Sequence, residues 1–315
     1  MERGLEVFAP DGIGEIERGT DLAGLIAPHV VDGDVVVVTS KVVSKSEGRV
    51  ITGDREQAVR DETVRVVARR GPTTIVETRI GVVMAAAGVD ASNVASGSLV
   101  LLPADPDASA RTIRERLAGT GANVAVVVSD TAGRAWRHGQ SDLALGAAGI
   151  LPLESFAGRT DDYGNELAVT APAVADEVAG IAEVVSGKLG RRPVTVLRGL
   201  ADRVLPVGEH GPGARSLVRE AGDDMFGLGS REAVVAALAG RDRHAFGAPA
   251  LAGDLLRAIA DCGLSAAPAG DDARPLLLVA APSDDPRLVV LAFAHGWEVR
   301  AEESGESATV LAPLS

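Results

Sequence analysis

Apolar residues along this chain fall into two patterns: short unbroken runs rich in valine, and longer stretches in which they recur every three or four positions. The runs at residues 35–39 and 126–128 predict buried strands, because a β-branched run without polar alternation leaves no face for water. Residues 99–102 and 194–198 predict two more strands. Residues 5–8 alternate apolar and polar like a short strand, and residues 74–78 with 81–85 read as a hairpin or a pair of strands. Helical spacing predicts a short helix over residues 21–30, with Leu22, Leu25 and Ile26 on one side. It predicts a longer one over 56–70, with Val59, Thr63, Val66 and Val67 on one face and Gly71-Pro72 closing it. Helices are also expected over 109–117, with a basic face, and over 171–185. The tail alternates helix-like stretches (231–238, 251–260) with strand-like ones (276–280, 288–291, 307–311). Residues 143–150 are small and apolar, which points to close packing of elements. No internal repeat is evident.

Composition narrows the class. Of 315 residues, 46% are hydrophobic and 24% charged, the balance of a globular protein with an ample core, and aromatics are only 3%. A formal charge of −13, from 31 basic and 44 acidic residues, argues against a general nucleic-acid or anionic-membrane surface. It leaves room for a local basic pocket that takes a polyanionic small molecule. The single cysteine, Cys262, excludes an intramolecular disulfide and any cysteine-based metal cluster, and is expected to be an inert core thiol. No signal-peptide core opens the chain and no apolar run approaches membrane-spanning length, so the expectation is a cytoplasmic protein with neither membrane nor nucleic acid as partner.

Polar groups gather just past the predicted strands. After the run 126–128 come Ser129, Asp130, Thr131 and Gly133, then Arg134 and Arg137 around Trp136. Carboxylate and hydroxyl at a strand end display oxygen ligands for a hard cation or a phosphate; the plain alternative is an Asx-type turn. After residues 35–39 come Ser40, Lys41, Ser44 and Lys45, and the spacing of four places like groups on one side of a helix or strand. Two ammonium groups and two hydroxyls there suit a triphosphate, although a solvated lysine pair fits the spacing too. Asp90 and Asn93 follow a third apolar run, either as metal and nucleotide contacts or as an N-cap or Asx turn. Residues 10–16 form a glycine-punctuated loop, Gly187 is a natural left-handed cap for the helix before it, and residues 159–167 form a polar loop carrying the only tyrosine, Tyr163. Residues 208–213 have linker composition, which places a boundary between about 200 and 230. His138, His210, His244 and His295 show no metal-ligand spacing. With no Walker A sequence, kinase signature or G-x-G-x-x-G, these residues support a metal-dependent, phosphate-handling enzyme.

Four motifs in order go further. They are T-S-K-V-V-S-K-S-E-G-R (residues 39–49), A-G-V-D-A-S-N-V (87–94), S-D-T-A-G-R-A-W-R-H-G-Q (129–140) and D-Y-G-N-E-L (162–167), with A-D-E-V-A (175–179) and V-L-R-G-L (196–200) after them. Together they resemble the coenzyme F420-0:L-glutamate ligase (γ-glutamyl ligase) family over roughly the first three quarters of the chain. The resemblance implies an α+β, mixed α/β fold in two lobes with mixed sheets, neither P-loop nor Rossmann. It implies a GTP-dependent amide ligase that joins L-glutamate to the deazaflavin precursor coenzyme F420-0 through an acyl phosphate, as a homodimer. By the resemblance Asp90, Asp130 and Thr131 are ligands of Mg2+ or Mn2+, with K+ as a further cation. The resemblance likewise implies that Ile13, Gly14, Glu15, Ile16, Ser40, Lys41, Lys45, Asn93 and Gly187 contact GTP, with Lys45 and Asp130 as the expected catalytic residues. A GTP-dependent ligase of another carboxylate, or a non-catalytic binding subunit, is the alternative. Two positions depart from the pattern: Ala86 stands where asparagine is expected, and Lys188 where some members carry an acidic second-metal ligand. The expected organisation is a ligase domain over 1–215 and a linker plus short α/β region over 216–315. Residues 222–229 resemble the junction to a nitroreductase-like domain, but too little chain follows for one, so FMN is not expected.

Overall fold

The computed structural model describes residues 4–271, 273–300 and 308–314. They fall into two compact units, one comprising residues 1–66 and 75–218 and the other residues 67–74 and 219–315.

The first unit is built on strand β1 (Glu6–Phe8), helix α1 (Leu22–Ile26), β2 (Val35–Thr39), α2 (Ser40–Glu47), β3 (Val50–Thr52) and α3 (Arg55–Asp61). Next in order come β4 (Thr63–Arg70) and β5 (Thr73–Thr78), whose residues 67–74 belong to the second unit, then β6 (Val83–Ala85), β7 (Ser98–Val100), α4 (Pro106–Gly119), β8 (Ala125–Gly133), β9 (Gln140–Ala148), α5 (Val174–Ser186) and β10 (Val194–Arg198). Its main sheet has the order β1-β10-β2-β8-β9. Only β2 and β8 run parallel, with Val35 opposite Ala125 and Thr39 opposite Ser129; the remaining neighbours are antiparallel. The valine runs are explained by cover on both faces. Val36, Val38, Val126 and Val128 join Ile26, Ile113 and Leu117 of α1 and α4 in one apolar layer. The alternate residues Val35, Val37 and Val127 join Ala175, Val178, Ala179 and Ala182 of α5 in the other. The smallness of residues 143–150 has a direct cause. A Cβ on Gly146 of β9 would lie 2.2 Å from the backbone of Pro106, so only glycine lets α4 approach this closely.

Several expectations need correction. The helix expected over 56–70 stops at Asp61, and residues 63–70 are strand. Asp54 caps α3 by accepting from the Gln57 N–H at 2.8 Å. Thr63, Val64, Val66 and Val67 then crowd four β-branched side chains into five positions, which a strand accommodates and a helix does not. Residues 208–213 are no linker: the His210 carbonyl accepts from the Gly149 N–H at 2.8 Å. Beside them, Asp107 accepts from the N–H groups of Ala147 and Ala214 at 2.8 and 2.7 Å. The basic face of α4 is in part an internal strut. Arg114 is 2% exposed and donates to the carbonyls of Val124, Leu205 and Pro206 at 2.9, 2.8 and 2.9 Å.

The second unit adds α6 (Ser230–Ala239), α7 (Ala252–Asp261), β11 (Ala266–Pro268), β12 (Leu277–Val279), α8 (Pro286–Ala294), β13 (Trp297–Arg300) and β14 (Thr309–Pro313). Its antiparallel sheet has the order β11-β12-β14-β13, and its core gathers Leu255, Ile259, Leu277, Leu288, Trp297 and Leu311. Residues 288–291 are helix, not the expected strand. Asp285 accepts from the Arg287 N–H at 2.9 Å with Pro286 at the first helical position, and Leu288 and Ala292, one turn apart, share the buried face. Cys262 is exposed rather than in the core: α7 ends at Asp261, so the buried stripe of Leu255 and Ile259 stops before reaching it. Ser307, the first residue of the last expected strand, lies outside the described residues.

Two substitutions test the packing. Gly146→Ala is expected to lower unfolding free energy by about 1–3 kcal/mol through overpacking, whereas Gly119→Ala, with open space around its Cβ, should leave it unchanged or raise it by up to about 1 kcal/mol. Urea unfolding measures both; equal effects at the two sites would contradict the contact with Pro106. Arg114→Ala should cost about 2–4 kcal/mol, since it empties a buried site and leaves the buried Val124 carbonyl without its guanidinium donor, and an unchanged melting curve would contradict the strut.

Candidate active site

Parallel pairing of β2 and β8 brings Thr39 and Ser129 side by side, so the polar groups just beyond each run emerge together. From β2 the chain enters α2 without a loop. Val42 and Val43 are 8% and 1% exposed and dock the helix on the core, which turns Lys41 and Lys45 toward a cavity of about 950 Å³. The first turn of α2 also offers backbone N–H groups and the positive end of the helix dipole. Ser40 lines the cavity. Ser44, expected beside it, faces the interior at 1% exposure.

The opposite wall corrects the idea of a strand end. β8 does not stop at Asp130; it continues to Gly133 as a hairpin with β9, and a register irregularity between Val128 and Ser129 re-aims the side chains beyond it. Asp142, 6% exposed, sits opposite Thr131. It accepts from the Thr131 hydroxyl at 2.8 Å and from the Ser129 hydroxyl at 2.9 Å. Burial raises the Asp130 carboxyl above its ordinary range, and the Asp142 charge adds to this. The Thr131 N–H, the Ser40 hydroxyl and the Lys41 charge pull the other way and are outweighed. An acidic, oxygen-rich corner that burial makes reluctant to ionise is one that a cation would relieve. Sequence reasoning overlooked Asp142. Its signal was the Ser141-Asp142 polar pair at the head of a small apolar run, which acquires meaning only once the hairpin register is known.

Asp90 comes from the segment after β6. Its backbone exchanges hydrogen bonds with Val100 at 3.0 and 2.7 Å. Ala86 and Ala87 before it hold φ of 51° and 52°, a region in which asparagine is more at ease than alanine. One Asp90 oxygen accepts from the Ser92 N–H at 2.8 Å, so the Asx turn is real. The other meets Lys41 Nζ at 2.5 Å. Burial would raise this carboxyl, but hydrogen bonds from Lys41 and Ser92 prevail and hold it at about 2.

Two loops complete the cavity. In the first, Gly12 and Gly14 take φ of 84° and 77°, Ile13 and Ile16 are 5% and 4% exposed, and Glu15 reaches Lys45 Nζ at 2.5 Å. That hydrogen bond and the lysine charge hold the Glu15 carboxyl below its usual range. In the second, α5 ends at Gly187, whose φ of 64° and ψ of 151° are not the left-handed cap expected. Lys188 Nζ then lies 3.5 Å from the Thr131 hydroxyl, and Arg192 pairs with Asp11 at 2.8 Å.

One cavity therefore collects Ile13, Gly14, Glu15, Ile16, Ser40, Lys41, Lys45, Asp90, Asn93, Asp130, Thr131 and Gly187, with Asp142, Glu183, Lys188 and Arg191 besides. Tyr163 is 92% exposed and is not part of its lining. Among the described residues no three His, Cys, Asp or Glu side chains form a ready metal cage; hydroxyls and ligand oxygens would have to complete any coordination shell. No helix among them is long and apolar enough to cross a membrane.

The family model described as F420-0:Gamma-glutamyl ligase matches residues 12–199, a span that contains every cavity residue named above except Asp11. Similar proteins named coenzyme F420:L-glutamate ligase occur in Archaeoglobus fulgidus, 40% identical over 220 residues covering 62% of this chain and 88% of that protein. Another, in Halobacterium salinarum, is 42% identical over 223 residues, covering 62% and 87%, and a third, in Halorubrum lacusprofundi, is 39% identical over 222 residues. With match and cavity falling on the same stretch, this chain belongs to the F420-0:γ-glutamyl ligase family.

Proposed function

We propose that this protein is a GTP-dependent ligase that joins L-glutamate to coenzyme F420-0 and adds further glutamates through γ-linkages. The supporting observation is that ammonium groups from α2 and the acidic corner of β8 and β9 face one cavity, in a chain whose relatives carry the name coenzyme F420:L-glutamate ligase.

A carboxylate is a poor acyl donor because its oxygen is a poor leaving group. In the proposed reaction an oxygen of the F420-0 carboxylate attacks the γ-phosphorus of GTP. The bond from that phosphorus to the bridging oxygen breaks, and GDP leaves with the electron pair. The glutamate amine then attacks the acyl carbon of the resulting acyl phosphate. Its carbon–oxygen bond breaks, inorganic phosphate leaves, and nitrogen gives up a proton. The chief obstacle is repulsion between an anionic acid and an anionic triphosphate, and Lys41, Lys45 and Lys188 offset it by holding phosphate oxygens. Ile13, Gly14, Glu15, Ile16, Ser40, Asn93 and Gly187 line the nucleotide's share of the cavity. To take phosphate, Lys45 exchanges Glu15 for it and Lys41 loosens from Asp90.

The oxygen donors at the corner suit a hard divalent ion, Mg2+ or Mn2+. Asp130, Asp142 and the Thr131 hydroxyl would hold it, with Asp90 nearby. Such an ion supplies Lewis-acid charge to the transferring phosphoryl group. Potassium and a homodimeric assembly belong to the same proposal; Ile181, Val184 and Val185 of α5 are exposed, the kind of apolar surface a second copy covers.

Given GTP, Mg2+ or Mn2+, F420-0 and L-glutamate, the protein should release GDP only when both the acid and the amine are present, and excess EDTA should stop release. Asp130→Ala should lower kcat by about 100-fold or more, and Lys45→Ala should raise the GTP KM about tenfold, both with unchanged circular dichroism. Full turnover by Asp130→Ala would contradict the assignment, and turnover with another carboxylic acid but not F420-0 would replace the substrate.

A further inference from the structure

The cavity accounts for a triphosphate and a reacting carboxylate, but among its lining residues no aromatic side chain is present to meet a planar ring. The hairpin that forms its acidic wall ends in such a group. Beyond the Thr131–Asp142 rung the strands continue for two more, Ala132 opposite Ser141 and Gly133 opposite Gln140, before the tip over residues 134–139. At strand rise this carries the tip roughly 7 Å or more past the corner. The tip reads Arg134-Ala135-Trp136-Arg137-His138-Gly139, with no acidic residue, in a chain of net charge −13. Trp136 is 86% exposed, whereas the chain's other tryptophan, Trp297, is 1% exposed in the core of the second unit. Trp136 also holds φ of 60°, a backbone region that bulky residues seldom occupy. Arg134 donates to the His138 carbonyl at 3.3 Å and braces the turn. A strained turn that carries a largely exposed indole beside exposed guanidinium groups, rooted in the wall of the cavity, sets an aromatic face next to the acidic corner.

We propose that this tip recognises the ring end of the acid substrate, with Trp136 stacking on the deazaflavin and Arg137 donating to the oxygens of the same ring system; the inference rests on the ligase reading above. A linear acid whose carboxylate lies at the Asp130 corner then runs along the hairpin, and its heteroaromatic ring reaches the indole. Stacking and guanidinium contacts tolerate partial exposure, so the ring end need not be enclosed. The tip sets which carboxylic acid is accepted and leaves the nucleotide side untouched.

Steady-state kinetics of Trp136→Ala, Trp136→Phe and Arg137→Gln test this. Trp136→Ala should raise the KM for F420-0 about tenfold while KM values for GTP and L-glutamate stay within about twofold. Trp136→Phe should recover most of the loss, and Arg137→Gln should raise the same KM alone. In parallel, F420-0 titrated onto the wild-type protein should quench tryptophan emission, and the quench should vanish in Trp136→Phe. An F420-0 KM unchanged in Trp136→Ala overturns the inference. So does a uniform loss across all three substrates, or a shift in oligomeric mass, which would make the tip an assembly element. If the wild type does not turn over F420-0 at all, the ligase reading fails instead, and the quench titration still decides whether the tip binds the ring.

Discussion

The site depends on one constraint, the parallel pairing of β2 with β8 inside a sheet covered on both faces. Parallel neighbours run out toward the same edge, so the residues leaving one strand must meet those leaving the other. Here β2 gives way to the start of α2, and the outer half of β8 carries Asp130 and Thr131. Thr39 opposite Ser129 sets the register. A slip by one residue would exchange the two apolar layers and turn the polar residues inward, so the hydrophobic core itself enforces the spacing between the ammonium groups and the acidic corner.

Around that edge, charge is balanced locally. Lys41 is held by Asp90 and Ser92, Lys45 by Glu15, and Arg192 by Asp11. Asp130 and Asp142 are the exception, two carboxylates close enough for one to raise the other, with burial adding to the effect. This asymmetry fits a cavity that exchanges internal carboxylates for phosphate oxygens on one wall and draws positive charge to the other. Lys188, beside the Thr131 hydroxyl, already contributes some of that charge from the chain itself.

Much of this was legible in the sequence. Continuous valine runs announced strands buried on both faces, and the spacing of Lys41 and Lys45 placed two cations on one side of whatever element held them. The α+β class with mixed sheets was implied by the resemblance to the ligase family, and helices with several sheets are what the structure has. The illegible parts required partners distant in sequence. Asp142 acquires its role through a hairpin register, and Arg114 through carbonyls some ninety residues away, so local pattern left one unnoticed and placed the other on a surface face. Residues 63–70 kept a helical period by coincidence while their β-branched content favoured a strand. Residues 208–213 had the composition of a linker because glycines were needed there for close approach: a Cβ on Gly213 would lie 2.4 Å from Asp107.

In the proposed ligase a single cavity holds a nucleotide's phosphates between α2 and the β8–β9 corner. Crystals grown with GTP and Mn2+, measured at the manganese edge, test it most directly. Anomalous density is expected against Asp130 and Asp142, with the phosphate chain against Lys45 and Glu15 displaced from it. Nucleotide bound elsewhere, or manganese absent from that corner with GTP in place, would contradict it.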